Sequence, residues 1–202
     1  MRAIFAVDGG NATGLAWGIF DDKARSVEEA IQNRLHAGSA TINRRVKRDR
    51  QTCYMAPDVR EPLVERFIGQ TPLEDMAQVI MVYLMFFKFK RHAVRVGRMD
   101  PDSVDLILED FILLPGAHAG GKDGVASVRI AWGVAGYQEG VAAEYARRRK
   151  QLHISEPIWQ APSVMGRVKD HHLKSYGVWI PGRDHERAAW RHIAFRLNTL
   201  LK

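Results

Sequence analysis

Residues 6–17 read AVDGGNATGLAW and join two apolar segments, residues 4–7 and 15–20. Asp8 directly follows the first segment, and a glycine-rich turn separates it from the second. Apolar segments joined by such a turn are typical of a tight β-hairpin. We therefore expect Asp8 at the exit of a buried first strand. The glycines leave space for a metal ion or a phosphate to approach, but an aspartate that only stabilises the turn would fit the same pattern.

A second acidic position occurs in a matching context in the middle of the chain. Residues 104–111 read VDLILEDF, an apolar run that reaches Glu109 and Asp110. Continuous apolar runs are typical of parallel strands covered on both faces, and open sheets bind ligands beyond the carboxyl ends of such strands. Glu109 is the favoured ligand, because its neighbour Asp110 would face the opposite side of the sheet.

A third acidic position opens the last predicted helix, where Asp184 and His185 precede an apolar stripe formed by Ala189, Ile193, Leu197 and Leu200. An acidic residue is favourable at the N-cap or in the first turn of a helix. Carboxylates from a first strand, a middle strand and a final helix suit hard divalent cations, which prefer oxygen ligands. Two such ions about 4 Å apart can stabilise the attacking and leaving oxygens of a phosphodiester.

Four motifs in this order resemble those of the RuvC-type Holliday-junction resolvases, most closely the phage-encoded branch of that family. They are Asp8-Gly9-Gly10 with Thr13-Gly14, Leu108-Glu109-Asp110-Phe111, Gln160-Ala161-Pro162-Ser163, and Asp184-His185. These resolvases belong to the ribonuclease-H-like nuclease superfamily. The resemblance implies that Asp8, Glu109 and Asp184 bind Mg²⁺, for which Mn²⁺ can substitute. It also implies that His185 is a further catalytic and metal-site residue, and that the protein is a homodimer acting on branched DNA.

One departure from the family pattern keeps a second function open. The terminal helix of the family commonly carries another Asp three residues after the position of His185, where this chain has Ala188. Positions 184, 185 and 188 share a helical face, whereas Glu186 is expected to point elsewhere. A catalytically weakened DNA-binding protein of the same fold is therefore the main alternative to an active nuclease.

An actin-like-fold kinase is a further alternative, because its first phosphate loop also pairs Asp-Gly-Gly with Thr-Gly. Such kinases need two domains and a second glycine-rich nucleotide loop. A chain of 202 residues has neither the length nor that loop. The order of strand and helix patterns predicts instead one domain over residues 1–202, of α/β class, with a mixed five-stranded sheet flanked by helices. The resemblance to the resolvases implies that this sheet has the ribonuclease-H-like architecture.

The net charge of +7 favours a polyanionic partner. The strongest basic run, containing Arg44, Arg45, Lys47 and Arg48, lies in a segment without clear periodicity at about 43–71. We treat this segment as an insertion that either clamps DNA or covers one edge of the sheet. A short helix beginning near Ser163 could also hold a backbone phosphate, with Arg167, Lys169 and Lys174 close by.

The composition also indicates the cellular compartment in which we expect the protein. The single cysteine, Cys53, excludes an intrachain disulfide and suits a reducing cytoplasm, either bacterial or that of a phage host. The longest apolar run, residues 79–87, is too short for a membrane span, and the N-terminus enters a strand pattern without a signal segment. We therefore expect a cytoplasmic protein without a membrane partner.

The expected elements are strands at 2–8, 14–20, 36–42, 104–111 and 156–160, and helices at 72–91, 123–150, 163–175 and from 184. The helix at 123–150 is rich in alanine and glycine, which predicts a closely packed partner. That partner is either the protein's own sheet or a second copy of the chain, as the resemblance implies.

Overall fold

The computed structural model describes residues 1–10, 12–43, 54–55, 74–110, 121–148 and 156–202. Its strands are β1 (Arg2–Asp8), β2 (Ala12–Phe20), β3 (His36–Asn43), β4 (Tyr54–Met55), β5 (Val104–Glu109) and β6 (Ile158–Gln160). Its α-helices are α1 (Val27–Gln32), α2 (Glu74–Gly97), α3 (Gly121–Arg147), α4 (Val164–Arg167), α5 (Asp170–Ser175) and α6 (Asp184–Leu200), and a 3₁₀ helix spans Pro101–Ser103.

The strands form one mixed sheet in the order β4-β3-β2-β1-β5-β6. The first four strands in the chain pair in antiparallel fashion, while β5 is parallel to β1 and β6 is parallel to β5. The predicted α/β fold with a five-stranded mixed sheet is confirmed, and the two-residue strand β4 extends it at one edge. The carboxyl ends of β1, β5 and β6 consequently meet at one end of the sheet.

Each face of the sheet carries its own hydrophobic core. On one face, Phe5 and Trp17 pack with α2 and α3, and the ring centroids of Phe5 and Phe86 lie 5.6 Å apart. On the other face, Ile4 belongs to a second core that includes Ile193 and other apolar residues of α6. Because alternate residues of β1 face opposite cores, both sets must be apolar. This explains why the central strands are continuous apolar runs.

The region after β6 differs from the expected single helix at 163–175. It contains two short helices, α4 and α5, with Val168 between them in extended conformation (φ −110°, ψ 104°). Val168 and Leu173 are both buried in the core on the α6 side. Breaking the helix allows both side chains to reach that core, so packing overrides the local helical pattern.

The predicted insertion at about 43–71 lies mostly outside the described residues, and so do Arg44, Arg45, Lys47 and Arg48. Its described part, β4, pairs with Ala40 and Thr41 of β3. At these two residues the insertion covers the edge of the sheet.

The glycine-rich helix α3 has one packed face and one open face. Gly133 lies against Val79 of α2, where an added Cβ would overlap the valine side chain. Among the described residues, no atom outside the helix backbone lies within 4 Å of a Cβ added at Gly136 or Gly140, and both glycines line a groove of about 730 Å³ together with Tyr137. Gly133 therefore packs against a helix of the same chain, whereas the sheet was the expected internal partner. The expected second copy at the open face stays a prediction.

No helix in the described ranges is both long and apolar enough to cross a membrane.

Candidate metal centre

A row of polar positions crosses the end of the sheet on the face covered by α6. Asp8 pairs with Gly14 of β2, and Glu109 pairs with Gln160 of β6. Since Val7 pairs with Leu108, Asp8 and Glu109 are the next neighbours along β1 and β5. The pleat places both carboxylates on the α6 side. The predicted pairing of a first-strand and a middle-strand carboxylate is present in the structure.

The two carboxyl groups are buried together, with residue exposures of 8% for Asp8 and 4% for Glu109. Burial, followed by the charge of Asp8, raises the pKa of Glu109 to about 9. Among the residues that the structure describes, none is a hydrogen-bond partner of the buried Oε2 atom of Glu109. Two adjacent buried carboxyl groups cannot both ionise cheaply unless a cation compensates them. An unpartnered oxygen beside a second carboxylate therefore fits a divalent cation.

His185, in the first turn of α6, contacts this pair directly. Its Nδ1 atom lies 3.2 Å from Oδ2 of Asp8, and this contact raises the pKa of the imidazole. The contact depends on Gly14, because a Cβ at that position would overlap the carbonyl oxygen of His185. The glycine predicted to leave room for a ligand instead lets the helix approach the strand closely.

Asp184 is placed differently from the expectation. Its side chain is 79% exposed and pairs with Arg187 of the same helix. As the first residue of α6 it projects into solvent. His185 reaches Asp8 although its side chain is 47% exposed, and Ala188 is buried, with an exposure of 4%. Within the part of the chain that the structure describes, no three His, Cys, Asp or Glu side chains are arranged to hold a metal ion.

Glu186 points away from the carboxylate pair, as expected, but has a structural role that sequence reasoning missed. Its fully buried carboxylate accepts hydrogen bonds from Ser39 Oγ at 2.5 Å, Thr41 Oγ1 at 2.9 Å and Arg183 Nη1 at 3.1 Å. These bonds tie the first turn of α6 to β3. The sequence carried only a weak signal for this role, because Ser39 and Thr41 are simply two hydroxyl residues at alternate positions of one strand.

Two further polar residues of the site, Gln160 and His192, received no role from the sequence. The Nδ1 atom of His192 lies 2.9 Å from Oε1 of Gln160, and both residues are buried. Burial lowers the pKa of His192 to about 4. A usable signal was the spacing of His192, which follows His185 by two helical turns and therefore shares its face.

The predicted DNA-contacting residues that the structure describes lie on exposed positions of the α4–α5 region. The guanidinium of Arg167 lies 5.4 Å from the ring centroid of Phe195, and the Lys174 ammonium lies 4.7 Å from that of Trp179. Lys169 is exposed. Ser163 makes no side-chain capping hydrogen bond, and α4 is only four residues long. The exposed cations, rather than a helix N-terminus, are the feature available to a phosphate.

No family model, curated protein or solved structure matches this chain. The functional interpretation therefore rests on the geometry of the site and on the sequence motifs.

Proposed function

We propose that this protein is a Mg²⁺-dependent endonuclease of the RuvC resolvase type that cleaves branched DNA such as four-way junctions. The observation that carries the proposal is the buried pair of Asp8 and Glu109 at the carboxyl ends of adjacent parallel strands. The unpartnered Oε2 of Glu109 supports a cation at this position. The ordered motifs support the reaction class, since a nuclease of this type needs oxygen ligands from separate elements at one point.

In this proposal Asp8 and Glu109 hold the cation. Mg²⁺ held there, or Mn²⁺ in its place, would supply activation of the attacking water and stabilisation of the leaving oxygen of the phosphodiester. His185 is fixed through Nδ1 by Asp8, and its side chain is 47% exposed. Its Nε2 can therefore orient or exchange a proton with the attacking water. Asp184 is assigned to the rim of the site, where its charge helps to raise the pKa of His185.

The proposed substrate follows from charge. The chain carries a net charge of +7, and the exposed Arg167, Lys169 and Lys174 lie in the α4–α5 region, which packs against α6. Each contact between such a cation and a phosphate releases counterions and so favours DNA binding. The basic run near residue 44 would add to this surface. A single cysteine fits a reducing bacterial or phage-host cytoplasm.

A homodimer fits the same proposal. A four-way junction has two-fold symmetry, so a dimer with two-fold symmetry would present one site to each of two strands. The open face of α3, with Gly136, Tyr137 and Gly140, supports a second copy as the partner.

The second candidate function is a catalytically weakened DNA-binding protein of the same fold. It is favoured by the exposed position of Asp184 and by Ala188, which leave the described carboxylate pair without a third acidic partner. Such a protein would bind branched DNA but would not cut it.

Cleavage assays separate the two functions. Purified protein is incubated with Mg²⁺ or Mn²⁺ and labelled four-way, forked, flap and linear DNA. We expect cleavage of branched substrates, its loss in Asp8→Asn with DNA affinity retained, and normal cleavage by the control Asp22→Asn. Asp22 pairs with the N-terminal amine, beyond the opposite end of β2.

Two results would count against the nuclease. Junction binding without cleavage by the wild-type protein would support the weakened alternative. Unchanged cleavage by Asp8→Asn would remove Asp8 from the site.

A further inference from the structure

We propose that Gln160 supplies a third oxygen donor to the cation site, and that His192 is the residue that positions its amide. This inference rests on the cation site of Asp8 and Glu109 in the proposed function. It assigns to β6 the ligand that the sequence led us to expect from Asp184.

Gln160 lies beside Glu109 on the neighbouring strand. It is the register partner of Glu109, so it continues the row formed by Asp8 and Glu109 on the same face of the sheet. Like Asp8 and Glu109, it is buried, with an exposure of 6%. The side chain of Gln160 therefore lies beside that of Glu109, where its amide oxygen can face a cation held by the carboxylate pair.

The side-chain amide of Gln160 is contacted by His192. His192 is fully buried, where a neutral imidazole with one N–H is favoured over a charged one. Among the described residues, its Nε2 atom has no hydrogen-bond partner. A buried N–H without a partner is rarer than a buried acceptor without one, so the proton is placed on Nδ1, which donates to Gln160 Oε1 at 2.9 Å. One lone pair of Oε1 remains for a ligand.

The amide oxygen of Gln160 is chemically suited to bind a divalent cation. Side-chain amide oxygens are ordinary ligands of hard divalent cations, and hydrogen bonds from the surrounding shell orient such ligands. A neutral donor also adds no third negative charge beside the buried Asp8 and Glu109. Gln160 can thus complete a site in which the described residues supply only two acidic side chains.

The experiment measures cation binding directly, without DNA, by titrating Mn²⁺ and following the free ion by electron paramagnetic resonance. We expect Gln160→Met, which keeps the side-chain length but removes the oxygen, to weaken Mn²⁺ affinity about tenfold or more. Gln160→Glu should tighten it. His192→Leu should weaken it by about tenfold, with partial rescue in His192→Asn, which retains an N–H donor.

The matched control is Gln78→Met. Gln78 is also a buried glutamine, but it accepts a hydrogen bond from Thr13 Oγ1 at 2.8 Å on the opposite face of the sheet. Its replacement should leave Mn²⁺ affinity unchanged. Circular dichroism establishes that each variant is folded, and Gln160→Glu provides a test of opposite sign if Gln160→Met does not fold.

The outcomes separate this inference from the nuclease proposal. Unchanged Mn²⁺ affinity in Gln160→Met, together with loss of binding in Glu109→Gln, would overturn the role of Gln160 and leave the carboxylate pair intact. Absence of Mn²⁺ binding by the wild-type protein would overturn the cation site itself. Mn²⁺ binding that depends on Gln160, in a protein that cuts no DNA, would support the inference and refute only the nuclease.

Discussion

Replacing Glu109 by Gln should stabilise the cation-free protein at neutral pH, although Glu109 is central to the proposed activity. Glu109 is 4% exposed, and burial beside Asp8 raises its pKa from 4.5 to about 9. The folded protein therefore holds a proton that the unfolded chain releases. A glutamine has a similar shape and needs no proton. Active sites commonly reduce stability in this way.

The magnitude follows from the linkage between protonation and folding. Because the pKa is raised in the fold, the stabilising contribution is complete below pH 4.5 and is lost as pH rises toward about 9. Each pH unit in that interval costs about 1.4 kcal/mol. At pH 7 the free energy of unfolding has thus fallen by about 3 kcal/mol, and Glu109→Gln should recover an amount of that order.

Urea unfolding in the presence of a chelator, followed by tryptophan fluorescence at several pH values between 4.5 and 8.5, measures this difference. The variant should match the wild type near pH 4.5 and exceed it increasingly at higher pH. Added Mg²⁺ should stabilise the wild type and reduce the gap, because a ligand that binds only the folded state shifts the equilibrium toward it.

Glu186→Gln is the matched control with the opposite sign. Glu186 is also buried, but Ser39, Thr41 and Arg183 donate hydrogen bonds to its carboxylate. Its replacement should lower stability by about 1–3 kcal/mol. A Glu109→Gln variant that is less stable than wild type at pH 7, or whose advantage does not vary with pH, would refute a protonated Glu109 in the cation-free fold.

Two further substitutions test how α6 is placed over the sheet. Gly14→Ala should lower the free energy of unfolding by about 1–3 kcal/mol and disturb His185. Gly136→Ala, on the open face of α3, should raise the free energy of unfolding by about 0.5–1 kcal/mol. Equal changes in urea unfolding would contradict the close approach of α6 to β2. Ala188→Asp should destabilise the cation-free protein and tighten Mn²⁺ binding, because it adds a third buried carboxylate near Asp8. Unchanged Mn²⁺ affinity would place residue 188 away from the cation site.

The sheet and its two central carboxylates could be read from the sequence because they depend on local patterns. The apolar runs before Asp8 and Glu109 are buried on both faces, and parallel strands bring their carboxyl ends to one end of the sheet whatever surrounds them. The glycine-rich turn after Asp8 likewise specifies a hairpin. These features predict the two buried strands and the acidic pair where they end, whereas the strand order was seen only in the structure.

The contribution of the last helix was decided only by tertiary packing. A helical pattern shows which residues share a face, but not where the helix starts over the sheet. The close approach of His185 to Gly14 and the bonds of Glu186 to β3 set that position. They bring the His185 side chain to Asp8 and leave Asp184 in solvent.

The roles of Gln160 and His192 were also beyond the sequence. Their contact joins residues 32 positions apart and forms only when the docking of α6 brings His192 to Gln160. Neither residue type signals a site by itself, since glutamine is ordinarily exposed and a lone histidine has many uses. By itself, the sequence determined the fold and the carboxylate pair, because strand periodicity and turn chemistry are local. Only the tertiary structure decided which other side chains meet that pair, because this depends on the docking of one helix.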